Sequence, residues 1–221
     1  MHVELQLRCG PNASFATTPP LARVSFVVPC GGGWAPYNFT AVRPSADCTS
    51  AGSVVIWHTG PPGAQLLVDM VLVQPGAWGR FKGLPVKKRL AEFLLGSGMA
   101  GMRMGGGTIG MAWRHANGTN GKPGSGYLLR NFRGPRWERQ PLSLGTRIVS
   151  AGWGIIDFVN FCEAANLTAA LTLNERDDPA LVVEYLFGDT KATAGGQLRA
   201  LDGHMAPYAM ENMLLEVRTL C

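Results

Sequence analysis

The sequence predicts a mixed β plus α/β chain, a β-sandwich-like module followed by a unit in which helices and strands alternate. Three observations predict it. Short runs rich in β-branched and aromatic residues, broken by Gly/Pro clusters, fill the stretch from Leu21 to Val73. After Pro85 the apolar spacing changes to that of a helix. A helix-then-strand rhythm follows twice, the pattern of a parallel sheet with crossover helices, for which a closed barrel is one solution.

The β part is expected over residues 1–78, with runs at 22–28, 54–57 and 65–73. In the last run Leu67, Asp69, Val71 and Val73 alternate with Leu66, Val68, Met70 and Leu72. Both faces are mostly apolar, as in a strand inside a sandwich.

The α/β part is expected over residues 79–221. Pro85 suits a first helical turn, Val86, Leu90, Phe93 and Leu94 recur at helical spacing, and Gly96 and Gly98 close the pattern. The apolar run from Met99 to Met104 then reads as a buried strand delivering the loop Gly105-Gly106-Gly107. That loop lacks the Lys-Ser/Thr of a phosphate cradle. Ile155, Ile156, Phe158, Val159, Cys162 and Ala165 form a second helical face, and the run 167–173 is strand-like and closed by Asn174. A third helix is expected to start after Asp178 as N-cap, with Pro179 in its first turn, burying Leu181, Val182, Tyr185 and Leu186. Residues 108–150 are rich in Gly, Arg and Trp and show no period. In a barrel such an insert after a strand lies on the catalytic face.

Composition excludes several partners. The net charge is +5, but only Lys87, Lys88 and Arg89 cluster, and a solvated helix face accounts for them. No nucleic-acid partner is expected. No apolar stretch approaches bilayer length, so no membrane partner is expected, and Met1 to Arg8 lacks the apolar run of a signal peptide. Cys9, Cys30, Cys48, Cys162 and Cys221 show no C-x-x-C spacing, so neither metal nor cofactor is expected. The first three are compatible with one disulfide in an oxidising compartment and equally with free buried thiols. N-x-S/T sequences begin at Asn12, Asn38, Asn117 and Asn166. They are glycosylation candidates and favour a secreted or extracellular parent.

Six ordered segments carry a resemblance. Leu67-Val68-Asp69-Met70-Val71-Leu72-Val73-Gln74-Pro75 is similar to a "DxVSLxP" strand, and Arg103-Met104-Gly105-Gly106-Gly107 to an "RFPGG" loop. Gly134-Pro135-Arg136-Trp137-Glu138-Arg139-Gln140-Pro141 is similar to "GPxxxRP", and the segment from Gly154 to Glu163 to "GxxEFLxxCE". Ala170-Leu171-Thr172-Leu173-Asn174 is similar to "PVLTVN", and the segment from Leu198 to Tyr208 to "LRAxNGHPxPY". Together they resemble glycoside hydrolase family 51, the α-L-arabinofuranosidases of plant and fungal type.

The resemblance implies a carbohydrate-binding-like β module and the first part of a (β/α)8 TIM barrel. It also implies a retaining reaction that removes non-reducing terminal α-L-arabinofuranosyl residues, with an arabinose-containing polysaccharide or oligosaccharide as partner. Arg103 and Asn174 at strand ends and Trp137 in the insert become candidate substrate-binding residues, Trp137 by stacking on a furanose ring. Thr108 stands where the family has Asn or Cys. His204 in its Asp-Gly-His turn reads as structural, and Glu138, Glu163, Glu175 and Glu184 fall outside the catalytic motifs. Glu216-Val217 matches the start of the family's "EIGNE" strand, but the acid/base position falls on Leu220 and the nucleophile's strand is not found. No catalytic residue is therefore assigned. The chain is expected to be a fragment at both ends, with an incomplete barrel and no activity of its own. The alternative is a non-catalytic carbohydrate-binding or unstable truncated product.

Overall fold

The structure, a computed structural model, describes residues 1–10, 19–29, 31–40, 42–49, 52–69, 71–104, 128–136, 138–139, 142–144, 147–149, 152–174, 178–210 and 213–218. The chain divides into two compact units, Met1–Gly76 and Ala77–Cys221. Among the described residues the first is all β and the second α/β.

In the first unit, β1 (His2–Cys9) lies between β2 (Ala22–Val27) and β3 (Gly52–Thr59), antiparallel to both. The sequence reading missed β1 because Glu4, Gln6 and Arg8 interrupt its apolar residues. They occupy alternate positions and so share one face, while Val3, Leu5, Leu7 and Cys9 take the other. The polar face is satisfied internally. The Gln6 amide donates to Glu4, and Arg8 Nε donates to Gln6 Oε1 at 2.8 Å. Both Gln6 and Arg8 are buried.

Two expectations are corrected here. Among the described residues this unit holds one three-stranded sheet rather than two packed sheets. The run expected as a strand at 65–73 is irregular where described, and Leu67, Val68, Val71, Leu72 and Val73 are exposed. An apolar run becomes a strand only if a neighbour completes its ladder, and β1 takes the place between β2 and β3.

The alternative left open for the cysteines is resolved by a Cys9–Cys48 disulfide joining the end of β1 to the segment before β3. Cys30 and Cys221 lie outside the described residues.

In the second unit, α1 (Lys88–Gly96) precedes β4 (Gly101–Met104). Its start is later than Pro85 because Phe81–Gly83 is a short 3-10 turn and Arg80 bridges to Lys87. The buried face also differs. Ala91 is fully buried, whereas Leu90 and Phe93, which carry the helical spacing, are exposed. Within the stretch lacking a period lie a 3-10 turn at Leu129–Phe132 and a hairpin of β5 (Leu142–Leu144) and β6 (Arg147–Val149). Leu128, Leu129 and Phe132 are core residues.

Next come α2 (Ile155–Ala165), β7 (Thr168–Asn174), α3 (Pro179–Phe187), α4 (Ala194–Leu201) and β8 (Met213–Arg218). Most of the predicted residues do bury α2 and α3, Ile155, Ile156, Phe158, Val159 and Cys162 on one and Val182, Tyr185 and Leu186 on the other, while Ala165 and Leu181 are half-buried. Asp178 caps α3 as expected, accepting from the amides of Ala180 (2.9 Å) and Leu181 (3.3 Å). Glycine is required at Gly154, where a Cβ would fall 1.8 Å from the Phe132 ring, and at Gly195, where it would fall 2.3 Å from the Tyr185 amide. The latter lets α4 close directly onto α3.

The sheet order is β4-β7-β8, all parallel, so the strands near Met102 and Leu171 are neighbours as the alternation requires. Met102 and Met104, Ala169, Leu171 and Leu173, and Met213 and Leu215 face the helical core.

Arg199, fully buried on α4, ties the helices together. Its guanidinium donates to the carbonyls of Tyr185 (2.8 Å), Gly188 (2.8 Å) and His204 (3.2 Å). The first belongs to the last turn of α3, whose carbonyls have no partner within the helix. Replacing Arg199 by Met strips these oxygens of their donors at about 1–3 kcal/mol each. Arg199→Met should therefore lower stability by about 3 kcal/mol or more in a urea titration. An unchanged midpoint would show that other groups satisfy these carbonyls.

The disulfide closes a loop with a sequence separation of 39. Cross-linking a loop of that length removes denatured-state entropy worth about 4 kcal/mol. The double variant Cys9→Ser/Cys48→Ser should lose about 2–4 kcal/mol, read from the unfolding of the first unit by hydrogen exchange. Protection of β1 amides equal to that of the parent would contradict it.

Candidate functional site

Parallel strands place in-register residues on the same side, and successive residues on opposite sides. Opposite the core, the β4-β7-β8 sheet therefore presents Arg103, then Ala170 and Thr172, then Leu214 and Glu216. Here Arg103 Nη2 donates to Glu216 Oε2 at 2.9 Å, and the Thr172 hydroxyl donates to the same oxygen at 3.2 Å. The Arg103 and Glu216 side chains are 53% and 36% exposed, while Thr172 is buried beneath them. A water-facing guanidinium and carboxylate side by side can donate to and accept from a polyhydroxylated ligand.

The other predicted site residues fall differently. Asn174 ends β7 in register with Arg218, four positions beyond Ala170, the partner of Arg103. That is about 13 Å along the strand. The side chain of Asn174 is outside the described residues, as are Trp137, Thr108, Leu220, Asn12 and Asn117. Thus Arg103 and Glu216 are brought together, and Asn174 stands further along the same strand direction. Among the described residues no group of three His, Cys, Asp or Glu could hold a metal ion. Nor, among them, is any helix long and apolar enough to cross a membrane. Cys162 is a free thiol in the core, and burial pushes its pKa up to about 11, so it is not a nucleophile near neutrality.

Most motif residues do structural work instead. Arg136 and Arg139 donate to the Asp157 carboxylate at 3.1 and 2.6 Å, and that carboxylate also accepts the Gly154 amide at 3.0 Å. Two motif segments thus meet at the N-terminus of α2, where an anion is favoured. Arg139 and Asp157 are 6% and 7% exposed, in contrast to the Arg103 pair. His204 is structural, as expected. Its ring contacts Glu163 Oε2 and the Ala206 carbonyl, each at 2.7 Å, and stacks on Tyr208. Glu163 also accepts the Ala209 amide at 2.7 Å, and the Tyr208 hydroxyl donates to Asn160 at 2.7 Å. Tyr185 donates to Asp202, which Arg133 grips with two nitrogens at 2.8 and 3.1 Å. Burial pushes both phenols, Tyr185 and Tyr208, well up, so they remain donors. These clusters were not predicted. The signal available was the density of Arg, Asp, His and Tyr inside the matched segments.

No family model matches the sequence, and no curated protein matches it. Among solved structures the chain is similar to an arabinose-bound family 51 α-L-arabinofuranosidase, with a TM-score of 0.54 at 13% identity over 97% of this chain and 35% of that one. The family 51 enzyme from Bifidobacterium longum gives a TM-score of 0.44 at 20% identity over 57% of this chain and 23% of that one. An arabinose complex of the α-L-arabinofuranosidase from Thermotoga maritima gives 0.44 at 21% identity, over 57% of this chain and 24% of that one. The chain spans at most 35% of the length of these proteins. The first likeness establishes a related fold.

The two ion pairs should separate by stability. Exposed pairs contribute about 0.2–1 kcal/mol, whereas unpairing a buried charge costs about 3–5 kcal/mol. Arg103→Gln should therefore shift the unfolding free energy by less than about 1 kcal/mol, and Asp157→Ala by about 3 kcal/mol or more. Comparable losses in denaturant titrations of the two variants would remove the distinction between a poised surface pair and a structural clamp.

Proposed function

We propose that the chain is part of a family 51 α-L-arabinofuranosidase, contributing sugar-holding groups from the first strands of a (β/α)8 barrel behind a carbohydrate-binding-like β module. The observation that carries this is the Arg103–Glu216–Thr172 cluster on the solvent side of parallel strands in sequential order, reached from the motif segments. A barrel gathers its site at the C-terminal ends of such strands. Arg103 binds a sugar hydroxyl and holds neighbouring negative charge in place, and Asn174 and Trp137 are the further sugar-binding residues that the motifs assign. The parent protein's substrate is an arabinose-containing polysaccharide or oligosaccharide, met outside the cell.

A retaining glycosidase needs two carboxylates about 5 Å apart, one to protonate the leaving oxygen and one to attack the anomeric carbon. No residue of the matched motifs is assigned to either role, and Leu220 stands at the acid/base position. General acid/base help alone is worth about 10²–10⁴ in rate. The purified chain should release no arabinose from a chromogenic α-L-arabinofuranoside, while saturation-transfer NMR detects arabinofuranosyl oligosaccharide and Arg103→Gln weakens that signal. Arabinose release in proportion to chain concentration would overturn the assignment of roles. Saturation transfer unchanged by Arg103→Gln would overturn the site.

A further inference from the structure

Asn38 begins the triplet Asn38-Phe39-Thr40, and the residues around it are anchored. The Tyr37 and Phe39 rings lie 4.5 and 5.1 Å from the ring of Phe26 on β2. Alternate side chains of an extended segment point to opposite sides. Tyr37 and Phe39 are both held on the Phe26 ring, while Asn38 and Thr40, alternating with them, are exposed. The same segment lies inside the loop closed by the Cys9–Cys48 disulfide. Such bonds persist in oxidising, secretory compartments, where asparagine-linked glycan transfer takes place.

Asn166 offers a contrast. It is exposed, but it ends α2 in the left-handed conformation at φ 55°, its amide is bonded to the Cys162 and Glu163 carbonyls, and Leu167 beside it is buried. Its backbone is committed to the helix end.

We propose that Asn38 is an N-glycosylation site. The side-chain nitrogen of Asn38 attacks the anomeric carbon of the first sugar of a lipid-diphosphate-linked oligosaccharide. A carbon–nitrogen bond forms as the carbon–oxygen bond to the diphosphate breaks. The lipid diphosphate leaves with the bonding pair, and the amide proton passes to a base of the transferase. Thr40 supplies the hydroxyl of the acceptor triplet. The proposal stands independently of the arabinofuranosidase reading.

The test is cell-free translation of the full chain behind a cleavable export leader, with microsomes and a C-terminal acceptor tag that reports translocation. Peptide N-glycosidase converts a glycan-bearing Asn to Asp, which mass spectrometry reads on the tryptic peptide containing Asn38. In tag-modified chains most Asn38 should be converted, Thr40→Ala should abolish the conversion, and the modified chains should retain the Cys9–Cys48 bond. Unconverted Asn38 in tag-modified chains would overturn the proposal. So would modified chains that fail to form the disulfide, because the glycan would then be incompatible with the fold.

Discussion

A buried guanidinium must find hydrogen-bond acceptors on every side, and Arg199 finds them in backbone carbonyls at the point where three elements meet. It fixes the end of α3 against α4, and it bends the chain after α4 by holding the His204 carbonyl. The following residues are then committed. His204 reaches Glu163, Tyr208 reaches Asn160 on α2, and the Tyr208 amide bonds to the Leu186 carbonyl. That route sets where β8 begins and hence which of its residues lies beside Thr172. The position of Glu216 next to Arg103 thus follows a chain route tied down before β8 begins.

This arrangement divides labour between the two faces of one sheet. Toward the helices, methionine, leucine and alanine fill the core, and a buried carboxylate such as Asp157 is held by two arginines. Toward solvent, Arg103 and Glu216 pair without burial. A pair in water gains little from Coulomb attraction and loses little when a ligand group takes the place of one partner. A buried pair such as Arg139–Asp157 has no such freedom. Exposure, more than charge, distinguishes a surface ready for a ligand from a clamp.

Much of the second unit was legible because its signals are local. Asp178-Pro179 announces a helix start, and the apolar spacing of Ile155 to Cys162 specifies a buried face without reference to any partner. The first unit was less legible, since β1 hides its apolar face behind Glu4, Gln6 and Arg8, whose burial depends on one another. The run at 65–73 looked more strand-like than β1 and is not one where described, because pairing is a property of neighbours. For α1, helical spacing identified the helix but Leu90 and Phe93 do not mark its packed side. In the candidate site, Arg103 was singled out through its motif, whereas its partnership with Glu216 and Thr172 spans three strands and no local pattern announces it. The roles of Asp157, Asp202 and Glu163 were hidden for the same reason.

The strand pairings also impose a timetable on the chain as it leaves the ribosome. In the first unit His2 pairs with Val27, and both partners emerge early. In the second, Gly101 must wait for Thr168, and the sheet is not complete until Met213 arrives to pair with Ala169. The entropy of closing such loops rises slowly with length, by about 0.6 kcal/mol per doubling, so the cost is one of time more than of stability. During that interval Met102 and Met104 have helices but no strand beside them. The nascent second unit is therefore a client for whatever shelters apolar strands during synthesis, while the first can already be closed by its disulfide.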